Sequence, residues 1–167
     1  MVNSEQKLKT VRVSEWMSVC VLAVEVYDSI SIARQLMAKH RINQLPVLDN
    51  DRLVGIVTDR DIRDAYPTSM LIGHPKEIDR FADAYTVEEV MSHNVFTVRP
   101  ETPLATAIRI LRRHRVGSLP VVKNKRLVGI ITRSDILDFV LSGAGIHNST
   151  RRKVNGKKVR LAREKKA

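Results

Sequence analysis

The stretch RLVGIVTDRDI, Arg52 to Ile62, returns 74 residues later as RLVGIITRSDI, Arg126 to Ile136. Carried outward without a gap, the same register sets Met17 on Met91, His40-Arg41 on His114-Arg115 and Leu45-Pro46-Val47 on Leu119-Pro120-Val121. From Ser14 to Ile62, 20 of 49 positions equal their partners, and 14 of 24 do so between Lys39 and Ile62. Chance gives only a few, so the chain reads as an internal duplication.

Each copy has the same pattern. A short apolar strand (Val21 to Val26; Val95 to Val98) leads to a helix in which Ile30, Ala33 and Met37, or Leu104, Ala107, Ile108 and Leu111, recur at helical spacing. Cations close that helix, and Asn43 in one copy and Gly117 in the other are the residues expected to take the left-handed C-terminal turn. Two strands follow, Leu45 to Leu48 and Leu53 to Val57, joined at Asp49-Asn50-Asp51, with Leu119 to Val122 and Leu127 to Ile131 as counterparts. A second helix starts after Thr58 or Thr132. The expected fold class is α/β (α+β): two β-α-β-β-α units, each too small to be stable alone, packed about a pseudo-twofold axis.

The expected organisation is a first unit over residues 12–66, a connector over 67–85, a second unit over 86–142 and a basic, flexible tail over 147–167. Pro67 ends the first unit, Pro75 to about Ala84 forms a connecting helix, and Thr86-Val87-Glu88-Glu89 reads as a capping box. The segments Ile62 to Tyr66 and Ile136 to Leu141 are expected to leave apolar helix faces uncovered, which predicts a homodimer.

Composition narrows the function. Seven aromatic residues cannot fill a core for 167 residues, so the core is aliphatic. A single cysteine, Cys20, excludes an intrachain disulfide framework and a Cys-based zinc cage and fits a reducing compartment. The start MVNSEQKLKT has no apolar signal core, and Val19 to Val24 falls far short of the ~20 residues that cross a bilayer, so the expected place is the cytoplasm, with no membrane partner. The net charge of +11 is concentrated at one end: residues 147–167 hold nine Lys and Arg against one Glu. Such a tail can hold nucleic acid or an acidic partner, or lie solvated.

The duplicated Leu-Pro-Val, turn, Leu-Val-Gly-Ile-x-Thr-x-x-Asp-Ile pattern resembles the cystathionine-β-synthase (CBS) domain, here as a tandem pair (a Bateman module). The likeness covers roughly residues 12–142. The run GIVTDRDIRDAYP is similar to stand-alone prokaryotic CBS-pair proteins of the acetoin-utilisation type. The resemblance implies two inter-repeat clefts for an adenosine compound: AMP, ADP, ATP or S-adenosylmethionine. It implies nucleotide-binding roles for Gly55, Thr58 and Asp61 and for Gly129, Thr132 and Asp135, with each Asp on ribose hydroxyls and each Thr near phosphate. It further places adenine against Val21 and Pro46 in one copy and Val95 and Pro120 in the other.

The residues themselves are compatible with that chemistry. A Thr at a strand-to-helix switch is expected to leave backbone N–H groups facing outward for an anion, and a carboxylate one turn on can accept two ribose hydroxyls. Thr-x-x-Asp at a helix start is equally a capping box that binds nothing. Asp59 in the first signature is replaced by Arg133 in the second; if both lean toward ligand, the second cleft favours the more phosphorylated nucleotide. CBS relatives that sense AMP carry His-Arg just before Leu-Pro-Val, where this chain has Asn43-Gln44 and Gly117-Ser118. No nucleophile with its base, no metal cluster and no Gly-rich phosphate loop stands out, so no enzyme, metal or resident cofactor is expected. Two functions compete: a regulatory sensor that signals through a conformational or dimer change, and a nucleic-acid-associated or scaffold dimer whose tail is the working part.

Overall fold

A computed structural model of the chain describes residues 10–66, 75–143 and 160–161. These form two compact units, one containing residues 22–95 and the other residues 10–21 with 96–143. Each unit therefore holds the body of one copy together with the leader segment that precedes the other body in the chain.

The first unit runs β1 (Leu22–Glu25), α1 (Ile30–His40), β2 (Gln44–Asp49), β3 (Arg52–Thr58), α2 (Asp59–Ala65) and α3 (Pro75–Ala84). β1 lies parallel to β2, with Val24 opposite Val47, as a helical crossover requires. β2 and β3 are antiparallel through a two-residue turn in which Asn50 and Asp51 have φ of 49° and 65°. Two successive left-handed residues are the type I′ geometry that matches strand twist. Ser29 caps α1, its Oγ accepting from Ile32 N at 3.4 Å. One face of α1 buries Ile30, Ala33, Leu36 and Met37 against Leu45, Val47, Val57 and Ile62. Phe81 of α3 packs on Tyr66, with ring centroids 5.2 Å apart.

Two features differ from what the sequence pattern predicts. The left-handed residue that ends α1 is Arg41 (φ 53°) and not Asn43; in the other unit it is Arg115 (φ 55°) and not Gly117. Ile42 and Val116 explain the shift. Both pack on a core, so the chain must turn back just before them, and Ile42 N donates to Met37 O at 3.0 Å as it does so. The segment Ile62 to Tyr66, expected to expose an apolar face, is buried at both ends, with Ile62 2% and Tyr66 7% exposed.

The second unit contains α4 (Leu104–His114), β4 (Ser118–Lys123), β5 (Arg126–Thr132) and α5 (Arg133–Gly143). Its hairpin repeats the first one, with Asn124 and Lys125 in the left-handed turn. The expected strand Val95 to Val98 is reduced to one parallel bridge, Val98 to Val121. Pro100 accounts for this: its counterpart Val26 donates to Leu48 O at 2.9 Å, and a proline has no N–H to extend the ladder. The second core gathers Leu104, Ala107, Leu111, Leu119, Val121, Ile131 and Phe139.

The leader segments dock in the same way in both units. Val87 N donates to Asp28 O, Glu88 N to Val26 O and Ile30 N to Tyr85 O; in the second unit Val13 N donates to Thr102 O, Ser14 N to Pro100 O and Leu104 N to Val11 O. Val87 and Val13 are fully buried. The Thr86–Glu89 box forms on a short 3-10 turn, where Thr86 donates to Glu89 Oε2 from its backbone N (2.8 Å) and its hydroxyl (2.9 Å). These two bonds, the backbone one foremost, hold the Glu89 carboxyl below its ordinary value of 4.5. A two-residue strand β6 (Arg160–Leu161) neighbours β1 in the sheet. Apart from it, residues 147–167 lie outside the described residues, as does Pro67. No described helix is long and apolar enough to cross a membrane.

Candidate functional site

Thr58 ends β3 and caps α2. Its hydroxyl donates to Asp61 Oδ2 at 2.7 Å and accepts from Asp61 N at 3.2 Å, while Thr58 N donates to the same Oδ2 at 2.8 Å. Thr132 and Asp135 repeat the arrangement at the start of α5, with distances of 2.7, 3.3 and 2.7 Å. The local reason is that β3 and β5 must release their chains into helices, and Thr-x-x-Asp satisfies the N–H groups that the change leaves over. All four side chains are half-buried.

Several of the backbone N–H groups at these helix starts, expected to face outward for an anion, already have partners within the protein. Asp59 N is taken by Asn43 O at 3.0 Å and Arg133 N by Gly117 O at 3.1 Å, and the Thr and Asp N–H groups are taken within the boxes. What the first box leaves for a ligand is the second carboxylate oxygen of Asp61. The neighbouring charges also turn elsewhere. Asp59 pairs with Arg63 (3.5 Å) and Arg60 with Asp64 (3.6 Å), exposed i,i+4 pairs worth about 0.3–0.5 kcal/mol. Arg133 Nε donates to Val116 O at 3.1 Å, so it braces the turn after α4 and does not lean toward a ligand.

Gly55 and Gly129 sit where a leader segment crosses the hairpin. A Cβ on Gly129 would lie 2.6 Å from Met17 Sδ and 3.0 Å from Ser18 O; one on Gly55 would meet Met91 Sδ and lie 3.2 Å from Ser92 O. Those carbonyls are fixed by paired backbone bonds, Ser18 with Ile130 and Ser92 with Ile56. Close packing alone thus requires glycine at both places. Pro46 and Pro120 are buried in β2 and β4, opposite Ile56 and Ile130. Val21 is buried and belongs to the compact unit of Pro120, Thr132 and Asp135; half-buried Val95 belongs to that of Pro46, Thr58 and Asp61. The exchange of leaders regroups the four apolar residues in this way.

One residue was passed over by the sequence reading. Ser118 lies opposite Thr132 in the β4–β5 ladder, is 4% exposed, and its Oγ has no hydrogen-bond partner among the described residues. A small hydroxyl before Leu-Pro carried no signal, because the resemblance leads one to look there for His-Arg.

The CBS domain model matches residues 13–68 and 87–142. A CBS domain-containing protein of Dictyostelium discoideum is 33% identical over 133 residues, covering 78% of this chain and 92% of that protein. An inosine-5′-monophosphate dehydrogenase of Korarchaeum cryptofilum is 35% identical over 117 residues, but these are 70% of this chain and only 21% of the enzyme. Among solved structures, a protein assigned to acetoin utilisation (AcuB) from Vibrio cholerae superposes with TM-score 0.68 at 28% identity, covering 82% of this chain and 95% of that one. The CBS domain pair of protein MJ0100, solved with 5′-methylthioadenosine and S-adenosyl-L-methionine, superposes with TM-score 0.66 at 28% identity, covering 80% and 98%. Two matched copies over most of the chain, each folded as its sequence pattern requires, make this chain a member of the CBS domain family, a regulatory CBS pair.

Proposed function

We propose that the chain is a non-catalytic cytoplasmic sensor that binds an adenosine compound, one of AMP, ADP, ATP or S-adenosylmethionine, and passes the binding event on as a change in the arrangement of the pair or of its homodimer. The observation that carries the reading is the twinned Thr–Asp box, Thr58–Asp61 and Thr132–Asp135, kept in identical geometry in both copies. The bound adenosine ligands of the MJ0100 pair support the ligand class. On this reading the carboxylates take the ribose hydroxyls, the Thr residues stand near phosphate or its replacement, and the Ser118 hydroxyl gains its missing partner from the ligand. Val21, Pro46, Val95 and Pro120 supply apolar surface for the purine. Gly55 and Gly129 admit the leader segments that frame each site.

A ligand of this kind signals only if it binds one arrangement more tightly than the other. The homodimer rests on α5, where Leu137 is 63% and Val140 58% exposed. Isothermal calorimetry of the full chain against AMP, ADP, ATP and S-adenosylmethionine tests the ligand class. Saturable binding of at least one is expected, and heat of dilution alone for all four contradicts the reading.

A further inference from the structure

The two copies carry opposite charge at one equivalent place. In the first unit, Glu25 ends β1, and Asp49 and Asp51 flank the β2–β3 turn. At the aligned positions of the second unit stand Arg99, Lys123 and Lys125. Two further positions change character as well: Ala23 and Ile32 of the first unit are replaced by Thr97 and Thr106. The backbone pairing is alike, with Val24 opposite Val47 in one unit and Val98 opposite Val121 in the other, so the fold itself asks for neither the cations nor the hydroxyls.

These five residues meet in one place. Arg99, Lys123, Lys125, Thr97 and Thr106 line an open groove of about 830 Å³ that lies wholly within the second unit, with Val98, Ile110 and Val122 as its apolar wall. Its one carboxylate, Glu101, stands 4.0 Å from Lys123. Among the described residues no ion pair engages Arg99 or Lys125, and the hydroxyls of Thr97 and Thr106 have no hydrogen-bond partner. Cations beside a sheet edge can serve simply to keep that edge from pairing with another chain. That role accounts for Arg99 and the two lysines but not for the hydroxyls, which stand where the first copy has apolar side chains. The groove is also separate from the Thr132–Asp135 box. In the β4–β5 ladder Thr132 is opposite Ser118 and Lys123 opposite Arg126, so box and groove lie at the two ends of a six-residue strand, about 17 Å apart.

We infer that this groove is a second ligand site, which takes the linear di- or triphosphate group of a small anion. Arg99 on one segment and Lys123 with Lys125 on the other meet phosphate oxygens, and the hydroxyls of Thr97 and Thr106 donate to them. Three cations on two segments suit an anion long enough to touch both, with the guanidinium as a planar donor and the lysines as point charges. The inference does not depend on the adenosine reading.

Nitrogen–proton NMR of the full chain titrated with tripolyphosphate tests it, because each amide reports its own surroundings and any binding by residues 147–167 is read separately. The amides of Thr97, Arg99, Lys123 and Lys125 are expected to shift together and to saturate with a midpoint at or below about 1 mM. The variant T97A/T106I gives both positions their sister residues without changing the charge, and is expected to weaken binding about threefold or more. R99E/K123D/K125D, which does the same for the cations, is expected to weaken it about tenfold or more. A parallel titration with uridine triphosphate separates the two sources of such a group: tighter binding than tripolyphosphate assigns the apolar wall to an organic body, and equal or weaker binding assigns the site to polyphosphate itself. No saturating shift at these four amides, shifts confined to residues 147–167 or to Ser118 and Thr132, or an affinity unmoved in T97A/T106I would each overturn the site. The last result would reduce the cations to a diffuse field. Because T97A/T106I keeps every charge, the test stands even if R99E/K123D/K125D fails to fold.

Discussion

Met17 Sδ occupies the space that a side chain at Gly129 would need, lying 2.6 Å from the position of its Cβ, and Met91 stands in the same relation to Gly55. The leader of one copy is thereby locked across the hairpin of the other. Gly129→Ala is expected to destabilise the chain by about 1–3 kcal/mol, the range for overpacking, because Ser18 O cannot retreat without breaking its bridge to Ile130. Urea unfolding measures this. A midpoint unchanged from the natural sequence would mean that the crossing has slack.

The Glu89 carboxyl is held low by Thr86, first by the backbone N–H and then by the hydroxyl. A folded-state value below the unfolded one stabilises the fold above the unfolded value, and the gain is lost as pH falls through the folded value. Carbon-detected NMR titration of the Glu89 carboxyl should give a midpoint below 4.5, and Thr86→Ala should raise it only partway, since the backbone bond remains. A full return to 4.5 in that variant would assign the effect to the hydroxyl alone.

Much of this architecture is legible in the chain because the duplication checks each reading twice. The α1 and α4 faces, the hairpins and the connecting helix Pro75–Ala84 follow from spacing and turn residues. The exchange of leaders is not legible, since Val13 and Val87 have the same local pattern whichever body they cover. The left-handed turns at Arg41 and Arg115 escape for a different reason: side-chain preference points to Asn43 and Gly117, but burial of Ile42 and Val116 decides the position. At the site, Thr58, Asp61, Thr132 and Asp135 can be found from the signature, whereas the bond from Arg133 to Val116 O depends on a rotamer that sequence does not encode.

Leu137→Asp places a charge in the exposed apolar face of α5. With Val140 beside it on the same helix, this face is the contact proposed for the homodimer, so the variant is expected to sediment as a monomer where the natural sequence is expected to sediment as a dimer at about ten micromolar, with folded stability within about 0.5 kcal/mol because the site is exposed. Equal sedimentation of the two would remove α5 from the interface.

Because Thr58 and Asp61 also cap α2, Thr58→Ala is expected to cost about 0.5–2 kcal/mol of stability with or without ligand. Thermal unfolding of the free chain reads the cap alone. No change in the free chain would show that the box contributes nothing beyond ligand binding.

On the proposed reading the two carboxylates hold a ribose as well as a helix start. Calorimetric titration of the full chain with whichever of AMP, ADP, ATP or S-adenosylmethionine binds it, repeated on Asp61→Ala, Asp135→Ala and the double variant at a temperature where all remain folded, measures this most directly. Each single variant is expected to lose about 1.5–3 kcal/mol of affinity at its own site, the range for hydrogen bonds to a charged group, and the double variant is expected to show no saturable binding. A double variant that loses stability but keeps the affinity of the natural sequence would contradict the account and leave Asp61 and Asp135 as helix caps.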